Sequence, residues 1–280
     1  MLPPSLQISV VTYRPDLKLL ERCLRKLMLA IAAGREAGAM RTVHLALIDN
    51  SEDKAVADAV IELGKARFAD TNVHVTYLHG HANIGYGAAH NLVLHGTGSD
   101  YHLVLNPDVE LAPDALANAI IWLDRHPEIG ALAPQAHDGQ GAPIYLCKRY
   151  PAILDLALRG FAPGFVRRLF RKRLARYELR DVLAAAPDQD VVGIPVLSGA
   201  FMLVRRSAID KTGGFDPRYF LYFEDYDWSV RLNRVTKTAY VPSVRIGHHG
   251  GHAARKGMRH VVLFARSAVR FYRRHGWKWL

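Results

Sequence analysis

The 280-residue sequence is poor in cysteine and has no long hydrophobic run. Its two cysteines, Cys23 and Cys147, lie far apart and lack metal-ligand spacing, so we interpret both as small core residues in a reducing compartment. No apolar run is long enough to cross a bilayer, and no signal peptide precedes the first apolar segment. We therefore expect a cytoplasmic protein that is soluble or peripheral on a membrane.

Acidic residues are almost absent from two segments of a chain whose formal net charge is +11. Residues 167–180 contain seven basic residues and one acid, and residues 255–280 contain eight basic residues and no acid. The rest of the chain has 22 basic and 25 acidic residues, so the positive charge belongs to these two segments. Apolar residues recur at helical spacing between the basic ones, among them Phe165, Leu169, Val261, Phe264 and Tyr272.

A basic helix with an aromatic edge is typical of helices that lie on anionic lipid. A solvated helix face and a face that binds nucleic acid are the alternatives for such a run of charge. We favour an anionic membrane surface as the partner of both segments, and we expect no nucleic acid.

Strand and helix patterns alternate four times within about the first 125 residues. The strand segments are apolar throughout, which indicates an α/β fold with a mostly parallel sheet and helices on both faces. Asp16 can cap the first helix, because it precedes apolar residues that recur every three or four positions. The predicted strands cover residues 8–13, 43–48, 73–78 and 103–105, and a predicted helix follows over residues 113–125.

Polar residues follow these strands directly. Asp49 ends the second strand, and Asn106-Pro107-Asp108 ends the fourth, where proline stops the ladder and holds Asp108 on a stiff turn. Since the carboxyl ends of the strands share one rim in a doubly wound sheet, we predict a ligand site there. A polar turn that closes a strand is the alternative for each residue taken alone.

The glycine-rich segment 80–87 lacks the third glycine of a dinucleotide fingerprint and follows the third strand rather than the first. It can still bring backbone amides close to a phosphate, ahead of a short helix that carries Asn91. A plain tight turn is an open alternative for this segment.

The regular alternation breaks after Gly130. A basic amphipathic helix is expected at the end of the chain. Before it we predict an edge strand over residues 145–150, a basic helical insertion over 153–190, a buried segment over 192–204, a short helix over 205–211 and two short strands around Tyr240 and Val244.

Three carboxylates, Glu224, Asp225 and Asp227, lie within four positions after the apolar and aromatic run 219–223. A carboxylate beside apolar rings is poorly solvated, so its pKa can rise to suit proton abstraction. Arg231 lies one helical turn beyond Asp227 and can pair with it. An acidic helix start, favoured by the helix dipole, is the alternative interpretation.

Taken together and in order, these segments resemble the inverting glycosyltransferases of family 2, which have the GT-A fold. The similarity is greatest to bacterial rhamnosyltransferases that build surface polysaccharides, and it covers roughly residues 8–250. The segments that carry the resemblance are 9–13 (SVVTY), 48–51 (IDNS), 83–87 (NIGYG) with Asn91, 105–109 (LNPDV), 198–202 (SGAFM), 213–216 (GGFD), 224–227 (EDYD) and the histidine pair at 248–249.

This resemblance implies that the first half of the chain binds a nucleotide-sugar donor. Tyr13, next to Thr12, would lie against the nucleobase, and Asp49 would hydrogen-bond it. The other donor-binding residues that the resemblance implies are Asn83, Gly85, Asn91, Asn106 and Asp108.

The resemblance also implies a divalent cation, Mg²⁺ or Mn²⁺, at the diphosphate. Asp108 would bind it, because Asn106-Pro107-Asp108 stands where the family has Asp-X-Asp. The neutral amide of Asn106 suits a hard cation less well than a carboxylate, which leaves strict metal dependence open. His248 would complete the site, whereas His249 and His252 are better interpreted as polar loop residues.

In the second half of the chain the resemblance makes Asp225 the general base and lets Glu224 bind the acceptor or orient the base. Direct attack by the acceptor hydroxyl would invert the configuration at the sugar, without a covalent intermediate. This attack needs the base and the metal on opposite sides of the anomeric carbon, so Asp108 and Asp225 must face each other across one crevice. The acceptor site would be formed by Ser198, Gly199, Ala200 and Asp227.

The sequence thus predicts a hexosyltransferase that moves L-rhamnose from dTDP-rhamnose to a hydroxyl of a polyprenyl-diphosphate-linked or polysaccharide acceptor, at the inner face of the bacterial cytoplasmic membrane. A UDP- or GDP-sugar donor and a non-catalytic binding protein are the alternatives. A nucleotidyltransferase is disfavoured, since residues 9–16 lack a glycine- and basic-rich phosphate motif. The predicted units are 1–136 for the donor, 137–254 for acceptor and base, and 255–280 as a basic helix; the oligomeric state is left open.

Overall fold

A computed structural model describes residues 2–96, 98–250 and 257–280. Its first part is a parallel sheet in the spatial order third, second, first and fourth strand. Three of its four strands are buried along most of their length, in keeping with sequences that are apolar on both faces, whereas the third strand lies at the edge of the sheet and buries only Val73. They are β1 (Leu6–Thr12), β2 (Val43–Asp49), β3 (Val73–Leu78) and β4 (Tyr101–Leu105).

Four helices cover this parallel unit, and they confirm the predicted α/β alternation. Asp16 caps the first helix as predicted, because its carboxylate accepts from the backbone N–H groups of Lys18 and Leu19 at 2.9 and 3.2 Å. The helices are α1 (Leu17–Glu36), α2 (Lys54–Phe68), α3 (Tyr86–Leu94) and α4 (Ala115–Arg125).

The same sheet continues with antiparallel and parallel strands that come from both halves of the chain. Strand β9 (Phe201–Arg205) lies antiparallel to β4, and β6 (Ile129–His137) lies antiparallel to β9. Next come β10 (Lys237–His248), parallel to β6, and β5 (Val109–Leu111), antiparallel to β10. The two units predicted from the sequence therefore share one sheet. Two short strands, β7 (Pro143–Ile144) and β8 (Val191–Val192), pair with β6 and β10.

Two strand predictions in this region were wrong, and one further strand was missed. Residues 237–248 form one strand rather than two, because a register shift between Val241 and Arg245 accommodates Pro242 without ending the ladder. The predicted edge strand over 145–150 is reduced to a single bridge between Lys148 and Val196. Strand β6 was missed, since it is rich in alanine and contains a proline and so lacks a strong strand signal.

The basic insertion is helical, as predicted, and consists of four short helices. These are α5 (Ile153–Phe161), α6 (Gly164–Leu169), α7 (Arg171–Tyr177) and α8 (Arg180–Leu183).

The C-terminal helix packs against the segment that carries the three carboxylates. Helix α9 (Arg206–Thr212) ends at Gly213, and α10 (Glu224–Leu232) follows after a loop. Helix α11 (Met258–His275) buries Phe271 and Tyr272 in a small cluster with Tyr219 and Phe223. Part of the aromatic stripe that the sequence assigned to lipid is therefore protein core. No helix in the described ranges is long and apolar enough to span a membrane.

Candidate active site

The carboxyl end of β2 presents an acidic group with a free oxygen. One carboxylate oxygen of Asp49 accepts from the hydroxyls of Thr12 and Ser51 at 2.7 and 2.9 Å. The other, Oδ2, is buried and has no hydrogen-bond partner in the described structure. Since a buried polar atom normally has a partner, Oδ2 is suited to accept an N–H from a ligand.

Tyr13 follows β1 on the same rim and leaves a ring face available for stacking. Its ring is 44% exposed, and the guanidinium of Arg14 lies 5.3 Å from the ring centroid. Arg14 has a positive φ of 46°, a backbone conformation that is rare for a residue with a side chain. The sequence assigned Arg14 no role, and in the structure it lies against this ring.

The glycine-rich loop is held close to the second half of the chain at Gly85. Its φ is +91°, and a Cβ atom there would lie 2.4 Å from the carbonyl oxygen of Phe220, so only glycine fits. The side-chain oxygen of Asn83 accepts from the Gly85 N–H at 3.0 Å, and Asn50 donates to the Gly85 carbonyl at 3.1 Å. Asn83 and Asn50 thus fix the start of α3 at the rim.

Asn91 is placed differently from its predicted position among the donor contacts. Its amide donates to the carbonyl of Phe215 at 2.7 Å and accepts from the N–H of Phe215 at 3.0 Å. These two bonds attach α3 to the loop that follows Gly213. The Asn91 side chain therefore holds this loop in place.

Asp108 and His248 come together because β10 runs antiparallel to β5, which pairs His248 with Val109. The imidazole Nε2 lies 3.5 Å from Oδ1 of Asp108, and this Oδ1 is buried without a hydrogen-bond partner in the described structure. Burial acts to raise the pKa of Asp108, but His248 outweighs it, and the pKa lies below its usual value. Asp108 therefore stays a carboxylate at neutral pH.

This pair fits a divalent cation as part of its coordination shell. The described residues contain no group of three or more His, Cys, Asp or Glu side chains that could hold a metal, and within them Asp108 and His248 form a two-residue candidate site. The unpartnered Oδ1 is an oxygen donor of the kind that Mg²⁺ and Mn²⁺ prefer. His249 instead pairs with Glu110 at 2.8 Å, and His252 lies outside the described residues.

Asn106 turns its side chain away from this pair and toward Tyr86. The Tyr86 hydroxyl lies 2.9 Å from the side-chain oxygen of Asn106 and 2.8 Å from the carbonyl oxygen of Gly199. Burial raises the pKa of Tyr86 well above its usual value, with Glu224, Asp225 and Asp108 acting in the same direction. Sequence analysis missed Tyr86; its signal was a hydroxyl-bearing ring between the two glycines of the loop.

Residues 198–200 contact both the turn after β4 and the start of α10. They precede β9, whose first residue pairs with the last residue of β4, so they lie beside Asn106. The Asn106 N–H donates to the carbonyl of Ala200 at 2.9 Å, and the Gly199 N–H donates to the Asp225 carboxylate at 3.1 Å. The Ser198 hydroxyl accepts from the Ala200 N–H at 3.3 Å. A continuous set of bonds thus links the turn bearing Asp108 to Asp225.

Asp225 and Glu224 open helix α10 in a poorly solvated position. Burial raises the pKa of Asp225, against the hydrogen bonds from the N–H groups of Gly199 and Tyr226 that lower it. Burial and the neighbouring Asp225 raise the pKa of Glu224 well above its usual value, and its Oε2 has no hydrogen-bond partner in the described structure. The pair can therefore hold one proton and accept another.

Asp227 does not reach the crevice, and its predicted acceptor-binding role was wrong. The side chain is fully buried and lies 2.8 Å from Arg231, 2.7 Å from His275 and 3.0 Å from Arg274. The predicted pair with Arg231 is present. A carboxylate with no exposed surface and three cationic or imidazole partners holds helices together and is not available to a substrate.

The comparisons with known proteins agree with this geometry. A sequence model of the family described as "Glycosyltransferase like family 2" matches residues 3–274. The chain belongs to glycosyltransferase family 2. The N-acetylglucosaminyl-diphospho-decaprenol L-rhamnosyltransferase of Mycobacterium tuberculosis is 31% identical over 287 aligned residues, which cover 97% of this chain and 86% of that protein. The rhamnosyltransferase WbbL of Escherichia coli is 26% identical over 155 residues, 55% of this chain and 53% of that one.

Two solved structures of other glycosyltransferases share the fold of this family 2 enzyme. GalNAc-T7 with UDP, GalNAc and Mn²⁺ superposes with a TM-score of 0.59 at 15% identity, covering 89% of this chain and 43% of that one. The mannosyltransferase PcManGT of Pyrobaculum calidifontis, with GDP-Man and Mn²⁺, gives 0.58 at 17% identity, covering 96% and 65%. These are GT-A proteins, so the predicted fold is confirmed. The predicted glycosyltransferase activity is confirmed by the family match and by the rhamnosyltransferase relative.

Proposed function

We propose that this glycosyltransferase moves L-rhamnose from dTDP-rhamnose to a hydroxyl of a polyprenyl-diphosphate-linked glycan, with inversion at the sugar. The relative that covers most of this chain is named for rhamnosyl transfer to an N-acetylglucosaminyl-diphospho-decaprenol. The observation that carries the proposal is the bonded path from the Asp108 turn through residues 199–200 to Asp225. This path supports a single site in which the donor side and the base side are neighbours.

The donor side suits a pyrimidine nucleotide. The unpartnered Oδ2 of Asp49 would accept the N3–H of thymine, and Thr12 holds the carboxylate in place from its other oxygen. The half-exposed ring of Tyr13 would stack on the base. Asn83 and Gly85 would present the start of α3 to the ribose and diphosphate, and Asn91 would support that loop from behind.

Asp108 and His248 would hold Mg²⁺ or Mn²⁺ at the diphosphate. The cation would neutralise charge that develops on the leaving group. Asn106 would serve this site indirectly, because its side-chain oxygen lies against Tyr86 and its N–H positions Ala200. Both GT-A structures were solved with Mn²⁺, which supports the choice of a divalent cation.

Asp225 would take the proton from the acceptor hydroxyl as it attacks the anomeric carbon. A hydroxyl is a poor nucleophile at neutral pH, and a raised carboxylate pKa favours the transfer. Glu224, which burial favours in its protonated form, would donate a hydrogen bond to the acceptor or orient the base. Ser198, Gly199 and Ala200 would form the floor on which the acceptor lies.

The basic helices would hold the enzyme on anionic lipid at the inner face of the cytoplasmic membrane. Helix α6 buries none of its residues, and Phe165 and Leu169 are 76% and 80% exposed beside Arg167 and Arg168. Helix α11 keeps Val262 exposed among its arginines. Exposed apolar side chains flanked by arginine favour an anionic interface over a merely solvated face.

A donor and acceptor screen tests the proposal. Purified enzyme with Mn²⁺ and a prenyl-diphosphate-linked N-acetylglucosamine should release nucleoside diphosphate from dTDP-rhamnose at least tenfold faster than from UDP- or GDP-sugars. Faster release from a UDP- or GDP-sugar would mean that this sugar nucleotide, and not dTDP-rhamnose, is the donor. Tight nucleotide binding without release from any donor would favour a non-catalytic binding protein. Sedimentation with phosphatidylglycerol vesicles, but not with phosphatidylcholine vesicles, tests the membrane proposal separately.

A further inference from the structure

Three cations gather around one carboxylate next to the helix that carries Asp225. The guanidinium of Arg180 lies 2.6 Å from Glu178, and that of Arg159 lies 3.5 Å from the other oxygen of the same side chain. The negative charge of Glu178 also acts electrostatically on the third cation, Lys148, and raises its pKa. One carboxylate thus serves three positive groups, and the cluster has an excess of positive charge.

Lys148 belongs to this cluster by geometry. Its backbone pairs with Val196, two residues before Ser198, and its ammonium donates to the carbonyl oxygen of Tyr145. The guanidinium of Arg180 lies 5.0 Å from the centroid of the Tyr145 ring. Tyr145 therefore contacts both cations, Lys148 through its carbonyl oxygen and Arg180 through its ring. Burial, and then the neighbouring Arg159, lower the pKa of Lys148 to about 8, as expected for a cation that lacks a close anion.

The cluster reaches the helix that carries the proposed base through two tyrosines. Arg159 hydrogen-bonds to Tyr177, whose hydroxyl lies 2.6 Å from that of Tyr226. Tyr226 follows Asp225 directly, and its N–H donates to the Asp225 carboxylate at 2.9 Å. Lys148 also acts electrostatically on Asp225. These contacts connect the cluster to the helix that carries the proposed base.

Two of these cations are open to a ligand. The side chains of Arg159 and Arg180 are 51% and 52% exposed, whereas Lys148 is 6% exposed and held in place. Arginine forks bind phosphate oxygens in a bidentate manner, and a fixed ammonium adds a point charge. A diphosphate carries about two negative charges at neutral pH, which matches the excess charge of the cluster.

We propose that Lys148, Arg159 and Arg180 bind the diphosphate of the acceptor, one sugar unit away from the hydroxyl that Asp225 deprotonates. The proposal rests on the function proposed above. It assigns the basic insertion a part in acceptor selection, because α5 and α8 supply Arg159 and Arg180. The enzyme would then distinguish a diphosphate-linked sugar from the same sugar on a neutral linker.

The test compares two short-chain acceptors in lipid-free solution: N-acetylglucosamine linked to a prenyl chain by a diphosphate, and the neutral alkyl glycoside of the same sugar. For R159Q and R180Q we expect the ratio of kcat/KM for the diphosphate acceptor over the neutral one to fall by about tenfold or more. R125Q, which removes an exposed arginine of α4, should keep the wild-type ratio. Equal losses on both acceptors, or an unchanged ratio, would overturn the proposal.

Direct binding separates this proposal from the proposed function. If the wild-type enzyme transfers no rhamnose to either acceptor, the proposed function fails, but calorimetry with the prenyl-diphosphate acceptor still tests the cluster. The dissociation constant should rise at least tenfold in R159Q and stay unchanged in R125Q. If R159Q and R180Q weaken only the binding to phosphatidylglycerol vesicles, the cluster serves the membrane surface and the proposal is wrong.

Discussion

The backbone N–H of Gly199 donates to the carboxylate of Asp225 across 3.1 Å. The carbonyl oxygen of the same glycine lies 2.8 Å from the hydroxyl of Tyr86, which also reaches Asn106. A single peptide segment therefore fixes the position of Asp225, the proposed base, relative to the turn that carries Asp108. Because each contact uses a backbone atom or a buried hydroxyl, the arrangement does not depend on flexible surface side chains.

Tyr86→Phe should lower kcat by about tenfold and destabilise the protein by about 1–3 kcal/mol, because the side-chain oxygen of Asn106 and the carbonyl oxygen of Gly199 lose the hydroxyl donor that they share. Steady-state kinetics and urea unfolding measure the two effects. The matched control is Tyr219→Phe, since the Tyr219 hydroxyl is buried without a hydrogen-bond partner in the described structure. Equal effects of the two substitutions would mean that the Tyr86 hydroxyl has no special part in the crevice.

Gly85→Ala should impair donor binding and cost about 1–3 kcal/mol of stability, because a side chain at φ +91° is strained and its Cβ would meet the Phe220 backbone. Gly160→Ala is the control, since no atom lies within 4 Å of its added Cβ and the residue lies in helix α5. That substitution should leave stability unchanged or raise it slightly. Wild-type dTDP affinity in Gly85→Ala would contradict the proposed place of this loop at the donor.

Asp227→Asn should destabilise the protein by about 3–5 kcal/mol at neutral pH, because Arg231, Arg274 and His275 lose a buried carboxylate. Burial acts to raise the pKa of Asp227, but these partners outweigh it and the folded pKa lies below the unfolded value. The stabilisation is therefore present above about pH 4 and is lost as pH falls through the folded pKa.

Urea unfolding of wild type and Asp227→Asn across this pH range measures whether the stabilisation by Asp227 is lost on acidification. The difference in the free energy of unfolding should shrink on acidification. Asp58→Asn, which breaks an exposed pair with Lys54, should cost less than about 1 kcal/mol. A difference that grows at low pH would contradict the assignment.

Asp108→Asn should remove most of the increase in dTDP affinity that Mn²⁺ provides, by about tenfold or more, because a charged donor to the cation is lost. His248→Ala should give a smaller loss of the same kind. Calorimetric titration with dTDP, with and without Mn²⁺, measures both, and Asp58→Asn serves as the charge-matched control. An unchanged response to Mn²⁺ in Asp108→Asn would place the cation elsewhere.

Local patterns were enough to predict the parallel half of the sheet, because each of its strands is a continuous apolar run bounded by polar turns. They were also enough to locate Asp108 and Asp225, because carboxylates at the end of a buried strand and after an aromatic run are visible in the sequence. The family resemblance then supplied their proposed roles. Partners distant along the chain were not predictable in this way.

Asp227 shows why the remainder required the structure. Its spacing to Arg231 is a local signal and was interpreted correctly, but its bonds to Arg274 and His275 join residues 47 and 48 positions apart. Because of these bonds, the Asp227 side chain points into the protein interior. Lys148 is the opposite case, since nothing near it in the sequence indicates that Glu178, Arg159 and Arg180 surround it.

The central claim is that Asp225 removes the acceptor proton while the Asp108 side of the crevice holds the donor. The most direct test measures dTDP-rhamnose affinity and turnover together in Asp225→Asn. The account predicts a loss of turnover of about 100- to 10,000-fold with a donor dissociation constant within twofold of wild type. Wild-type turnover in this variant, or a large loss of donor affinity with turnover at saturation unchanged, would contradict it.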